Sequence, residues 1–150
     1  MANLKRAIEI ARDAHSGQVD KGSADYIEHP LRVMQRVDGE HAKIVAVLHD
    51  VVEDCPAWTF DRLRSEGFSD KVLQALESVT KRSLETYDDF IQRAGANSTG
   101  RLVKLADLAD NSDVSRLAEI TPDDLARQTR YAKAIAALER RASEATSTQN

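Results

Sequence analysis

The segment IVAVLHDVVED, Ile44 to Asp54, limits what this chain can fold into more than any other stretch. Its apolar residues are dense enough to demand burial, yet His49, Asp50, Glu53 and Asp54 are set among them. Unpaired carboxylates are very costly to bury and are normally matched by cations or a metal. No lysine or arginine occurs between Lys43 and Arg62, so the compensation must come from distant parts of the chain or from a bound ion. We expect one helix from about Glu40 to Asp54, ending before Pro56 because a residue preceding proline avoids the α region. In such a helix a spacing of four stacks His49 on Glu53 and Asp50 on Asp54. The plain alternative is an amphipathic helix with a solvated acidic edge.

Elsewhere apolar residues recur at helical spacing and strand alternation is absent, which predicts an all-α domain of about eight helices. A first helix around Leu4, Ala7, Ile8 and Ala11 ends at Gly17, followed by the polar loop QVDKGSAD. A second opens at His29-Pro30, with proline suited to the first helical position. Ser69 caps a helix through Val79. Shorter helices are expected near Thr59 to Ser65, Thr86 to Ala94 and Ser98 to Asp110. Thr121-Pro122-Asp123-Asp124 combines a capping threonine, a proline and two acids suited to a helix start, and that helix should run to about Ala142. Residues 1–142 then form one domain and 143–150 a polar, disordered tail.

The 21 basic and 25 acidic residues give a formal charge of −4, which argues against a general nucleic-acid binder. A single cysteine, Cys55, excludes an internal disulfide and reads as packing. No segment approaches the roughly 20 apolar residues needed to span a bilayer, and the N-terminus lacks a signal-peptide pattern. A cytoplasmic protein with no membrane partner is expected, with a homo-oligomer left open. His15 reads as a helix-end residue and His41 as exposed, while Trp58 should pack the connection after Pro56.

Two distant residues suggest how the buried charge is met. His29 could place an imidazole beside His49, and Asp107 sits in the otherwise apolar run LVKLADLADN. Two imidazoles and two carboxylates suit Mn²⁺ or Fe²⁺ and leave positions open for water and a phosphate oxygen, which is the chemistry of hydrolysis.

Four blocks, AHSGQ…K…DYIEHP (Ala14 to Pro30), VAVLHDVVED (Val45 to Asp54), VTK (Val79 to Lys81) and VKLADLADN (Val103 to Asn111), resemble the HD-domain phosphohydrolases of RelA/SpoT type and the small alarmone hydrolases. The closing RYAKAIAAL, Arg130 to Leu138, is also similar. The resemblance implies an HD-domain helical bundle with a Mn²⁺ site, Fe²⁺ or another divalent ion being an alternative, held by His29, His49, Asp50 and Asp107. It further implies that Glu53 and Asp54 handle water and protons, and that a small phosphorylated nucleotide loses pyrophosphate from its 3′ position. Lys21 and Lys104 are then candidates for phosphate neutralisation, Asn111 for a ribose or phosphate contact and Tyr131 for a pocket wall. Each also has a plain reading: Lys21 as a solvated loop residue, Lys104 as a counter-charge to Asp107, Tyr131 as helix packing.

The chain departs from the family pattern at Asp20, where a basic residue usually stacks on the base, at Gly22 after Lys21, and at Leu108, Asp113 and Val114. The interval between His29-Pro30 and His49-Asp50 is also shorter than usual. A guanidinium lies flat on a purine and an aspartate cannot, so these changes bear on base recognition more than on catalysis. Two other functions keep the same metal centre: removal of the 2′-phosphate of NADPH, and non-catalytic nucleotide sensing.

Overall fold

A computed structural model describes residues 2–115 and 117–147, with side chains described to residue 144. Nine helices account for the regular structure among these residues: α1 (Leu4–Ala14), α2 (Glu28–Gln35), α3 (Glu40–Leu48), α4 (Val51–Asp54), α5 (Phe60–Glu66), α6 (Asp70–Ser78), α7 (Tyr87–Ala96), α8 (Ser98–Asn111) and α9 (Pro122–Ser147). Beside them stands one isolated antiparallel bridge, Val19 with Asp25. The all-α expectation holds.

The core is organised around α3, whose Ala42, Ile44, Val45, Ala46, Val47 and Leu48 are all buried. A helix that is apolar on nearly every side must be surrounded. Accordingly α1, α2, α6 and α8 all pack on it. From α1 come Ala7, Ile10 and Ala11, each fully buried. A second, smaller cluster of Ile91, Leu108, Ala134 and Leu138 ties α7 and α9 to the far side of α8. The close approach of α6 to α8 depends on Gly100, where an added Cβ would lie 2.0 Å from Ser78 Oγ. Because α8 faces both clusters, its polar residues lie at the junction of the two packing layers.

Local sequence signals account for most helix ends. Asn3, Thr59, Ser69, Thr86 and Asn97 each accept a backbone N–H in the first turn of the following helix. At α9, Thr121 Oγ1 accepts from Asp124 N while the Asp124 carboxylate accepts from Thr121 N, a reciprocal capping pair. Gly67 ends α5 in the left-handed conformation.

Four expectations need correction. The helix foreseen across Glu40 to Asp54 is divided, with α3 ending at Leu48 and α4 starting at Val51. Pro30 is the third residue of α2, which starts at Glu28; the first turn tolerates proline throughout because its N–H groups lack helical partners. His41 is half-buried, and its Nε2 is enclosed without a hydrogen-bond partner. Helix α9 continues past Ala142 to Ser147, and residues 148–150 lie outside the described ones.

Candidate metal centre and its two cavities

The break between α3 and α4 is where the charged residues of the core helix are used. His49 closes α3, and its Nδ1 donates to the Ala46 carbonyl at 2.6 Å. That bond turns Nε2 inward, 3.1 Å from Asp50 Oδ2 and 3.3 Å from Asp107 Oδ1. From α2, His29 Nε2 lies 2.9 Å from the same Asp107 oxygen and 3.7 Å from Asp50 Oδ2. Donor atoms of His29, His49 and Asp50 all fall within 4.8 Å of one another. Four residues expected from the sequence to share a centre are thus brought together by α2, α8 and the α3–α4 break.

A surrounding set of bonds fixes their orientation. His29 Nδ1 is 2.6 Å from Asp110 Oδ2, and Asp110 in turn accepts from Arg32 Nε at 2.8 Å and Nη2 at 3.1 Å. Each imidazole therefore has its Nδ1 occupied and its Nε2 directed at the centre, the arrangement by which outer partners set the tautomer and basicity of a ligating histidine. Tyr26 donates its hydroxyl to Asp50 Oδ2 at 2.6 Å. Asp107 is further held by Lys104 Nζ at 2.9 Å and Asn111 Nδ2 at 3.1 Å.

Charges are strongly perturbed here. Burial alone would raise the Asp107 carboxyl, but Lys104 and the two imidazoles outweigh it and hold it well below the usual range. Burial would likewise lower His49, yet Asp50 and Asp107 keep it well above an ordinary imidazole. His29 is raised against its own burial by hydrogen bonds to Asp107 and Asp110. Both imidazoles are thus drawn toward their charged forms by the carboxylates beside them. A divalent cation satisfies the same donor set: two imidazoles and two carboxylates, oriented in advance by bonded outer partners, suit Mn²⁺, Fe²⁺ or a similar ion.

Glu53 and Asp54 behave differently, although Asp54 keeps its helical relation to Asp50, its N–H bonding the Asp50 carbonyl at 3.0 Å. Both are exposed, at the end of α4. Glu53 lines the cavity over the centre and accepts the Lys81 backbone N–H at 3.3 Å. Asp54 lies outside that lining, with partial desolvation, then Asp50 and Glu53, pushing its carboxyl up to about 6. Desolvation first, and then the charge of Asp50, raise Glu53 as well, partly offset by the Lys81 bond.

Two cavities meet at this point. The first, about 460 Å³, contains His29, Asp50, Asp107, Glu53 and Lys104 in its lining. The second, about 320 Å³, includes Asp20, Lys21, Asp113, Asp124 and Arg127. Tyr26, Asn111 and Tyr131 line both. Lys21 therefore belongs to the second cavity, where its Nζ is 3.9 Å from Asp124 Oδ1. Asn111 bridges the cavities and also supports Asp107.

Sequence reasoning missed Tyr26, Arg32 and Asp110. A signal was available for the last two: Arg32 follows His29 by three residues and Asp110 follows Asp107 by three, so each pair shares a helix face. Two facing helices that each carry such a pair can form a ladder, as α2 and α8 do.

No protein-family model matches the chain. Curated relatives do. It is 32% identical over 120 residues to a guanosine-3′,5′-bis(diphosphate) 3′-pyrophosphohydrolase of Aquifex aeolicus, covering 72% of this chain and 17% of the relative. It is 31% identical over 145 residues to the bifunctional (p)ppGpp synthase/hydrolase SpoT of Escherichia coli K12, covering 84% of this chain and 20% of that protein. A probable GTP pyrophosphokinase of Mycobacterium leprae matches at 30% identity over 140 residues. The chain spans about a fifth of the length of these relatives. With an all-α fold, a His/Asp centre at a helix break and these matches over most of its length, the chain belongs to the RelA/SpoT-type HD-domain family.

Proposed function

We propose that the chain is a divalent-metal-dependent phosphohydrolase that removes pyrophosphate from the 3′ position of a purine alarmone, with Mn²⁺ as its metal. The convergence of His29, His49, Asp50 and Asp107 beneath a cavity that also holds Glu53 and Lys104 supports this reading most directly. The names of the relatives agree, although one of them is named for a pyrophosphokinase activity, so the centre itself has to carry the assignment to hydrolysis.

His29, His49, Asp50 and Asp107 would hold the ion. When bound, it would act as a Lewis acid toward a phosphoryl oxygen and acidify water. The remaining chemistry falls to the chain's own groups. Glu53 at the cavity wall orients the attacking water, and Asp54, with a carboxyl near 6, accepts its proton at neutral pH. Lys104 offsets phosphate charge while staying bonded to Asp107. Asn111 and Tyr131, common to both cavities, position the part of the nucleotide between the reacting phosphate and the base. The second cavity, with Lys21, receives the nucleoside.

Among the described residues no helix is long and apolar enough to cross a membrane. A small nucleotide suits the paired cavities, and we infer a cytoplasmic protein that does not act on nucleic acid.

A Mn²⁺-supplemented assay across guanosine and adenosine alarmones and NADPH, with pyrophosphate and phosphate quantified separately, tests the reading. Metal-dependent pyrophosphate release from an alarmone is the expected result. Phosphate release from NADPH alone would transfer the activity to a 2′-phosphatase, and binding of alarmone without turnover would leave a sensor.

A further inference from the structure

One polar atom in the wall of the metal cavity has no role in the centre described above. Tyr87, the first residue of α7, lines this cavity, and its hydroxyl is buried without a hydrogen-bond partner. Enclosed hydroxyls normally find partners, so one left over beside an open cavity points to a ligand that completes it. Its surroundings indicate the charge of that ligand. The Arg130 guanidinium from α9 lies 4.8 Å from the centre of the Tyr87 ring and lines the same cavity. Lys81, in the loop after α6, also reaches it. Among the described residues neither cation has a carboxylate within ion-pair distance, whereas the third cation of the cavity, Lys104, is committed to Asp107 at 2.9 Å. Burial raises the Tyr87 phenol above its ordinary value, against the opposing pull of Lys104 and Arg130, so at neutral pH it is a donor.

The candidate ligands, through the ion they hold, and Lys104, which is bonded to Asp107, would face the reacting phosphoryl group. A hydroxyl donor and two further cations in the same cavity suit a second. We propose that Tyr87, Arg130 and Lys81 form an anion subsite for the distal phosphoryl group of a diphosphate, which makes the cavity selective for diphosphate over monophosphate. This rests on the hydrolase reading only in identifying that diphosphate with the leaving group.

The probe is inorganic pyrophosphate, with orthophosphate as the comparison, titrated calorimetrically into the Mn²⁺-loaded protein. Wild type should bind pyrophosphate more tightly than orthophosphate. Tyr87→Phe keeps the ring under Arg130 and removes only the hydroxyl, so pyrophosphate affinity should fall about tenfold, the effect of one hydrogen bond to a charged group, with orthophosphate unchanged. Arg130→Gln should produce a loss of at least the same size, and Arg130→Lys, which keeps the charge, a smaller one. Unchanged pyrophosphate affinity in both Tyr87→Phe and Arg130→Gln, or equal losses for both anions, would overturn the subsite. The two readings fail separately. Tyr87-dependent pyrophosphate binding without release of pyrophosphate from any nucleotide keeps the subsite and removes the hydrolase. Alarmone hydrolysis with the same KM and the same pyrophosphate inhibition in Tyr87→Phe does the reverse.

Discussion

The two cavities share Tyr26, Asn111 and Tyr131 but are built in opposite ways. In the first, the groups that matter stand on helices or at the α3–α4 break, and His29, His49 and Asp107 are each at most 5% exposed. Their charges are turned toward one another and toward the centre. In the second, the carboxylates serve the chain around them. Asp20 Oδ1 accepts from Gly22 N at 2.8 Å and Ala24 N at 3.0 Å, Asp113 Oδ1 accepts from Ser115 N at 3.0 Å, and Asp124 caps α9 through Thr121. The residue that departs most from the family pattern, Asp20, thus organises its own loop. A buried helical site tolerates few substitutions because every charge needs its partner. A loop site can exchange a base-stacking cation for a loop-forming aspartate and still fold.

The largest test of this contrast removes a charge from the first cavity. Asp107→Ala should abolish metal-dependent turnover and, by leaving buried Lys104 without its carboxylate and taking one of its carboxylates from each imidazole, cost about 3–5 kcal/mol of stability in denaturant titrations of the metal-free protein. Retained turnover would break the assignment of the centre. One step outward, Asp110→Asn should weaken metal affinity roughly 10- to 100-fold in chelator competition, because His29 loses the partner that fixes its ring.

Asp54 permits a test in which function and stability move apart. Its folded pKa of about 6 lies above the unfolded value of roughly 3.9, so the ionised carboxylate opposes folding at neutral pH. That penalty fades as pH falls from the folded value toward the unfolded one. Turnover should therefore drop below about pH 6 as the base is protonated. Asp54→Asn should lose this dependence along with most activity while gaining up to about 1 kcal/mol at pH 8, a figure discounted for solvent screening. A stability loss at pH 8 would contradict it.

Smaller effects belong to the second cavity. Asp20→Arg should leave release of pyrophosphate intact but shift the KM ratio between guanosine and adenosine alarmones by a few-fold, the scale of an exposed stacking contact. An equal change for both bases would detach this cavity from base selection. Smallest of all, Ser23→Gly should stabilise the protein by up to about 1 kcal/mol, since Ser23 sits at φ 66°, where a side chain is unfavourable. Thermal melts would detect it, and no change in turnover should accompany it.

How much of this was legible in the chain depended on the range of the interaction involved. Caps at Ser69 and Thr121 and the apolar stripes of α1 and α6 depend on neighbours within a turn or two, and they read directly. The anomaly of charge within IVAVLHDVVED was equally plain, and burial cost alone required partners for it. Which partners were chosen depended on packing. The division of α3 from α4 has no local breaker at His49-Asp50; it exists because His49 bonds back to Ala46 while its other nitrogen meets Asp107 from α8. Asp50, at the break, meets His49 and Tyr26 with its side chain while its carbonyl still accepts the Asp54 N–H. Tyr26 and the orphaned hydroxyl of Tyr87 were silent for the same reason, and the spacing of Arg32 and Asp110 acquires meaning only once α2 and α8 face each other. By itself the sequence determined an all-helical domain with a buried demand for compensating charge, since periodicity and desolvation are local costs. Only the tertiary structure decided that α2 and α8 meet this demand at one centre, and that the neighbouring cavity is left to loops, because those outcomes depend on which helices α3 buries itself against.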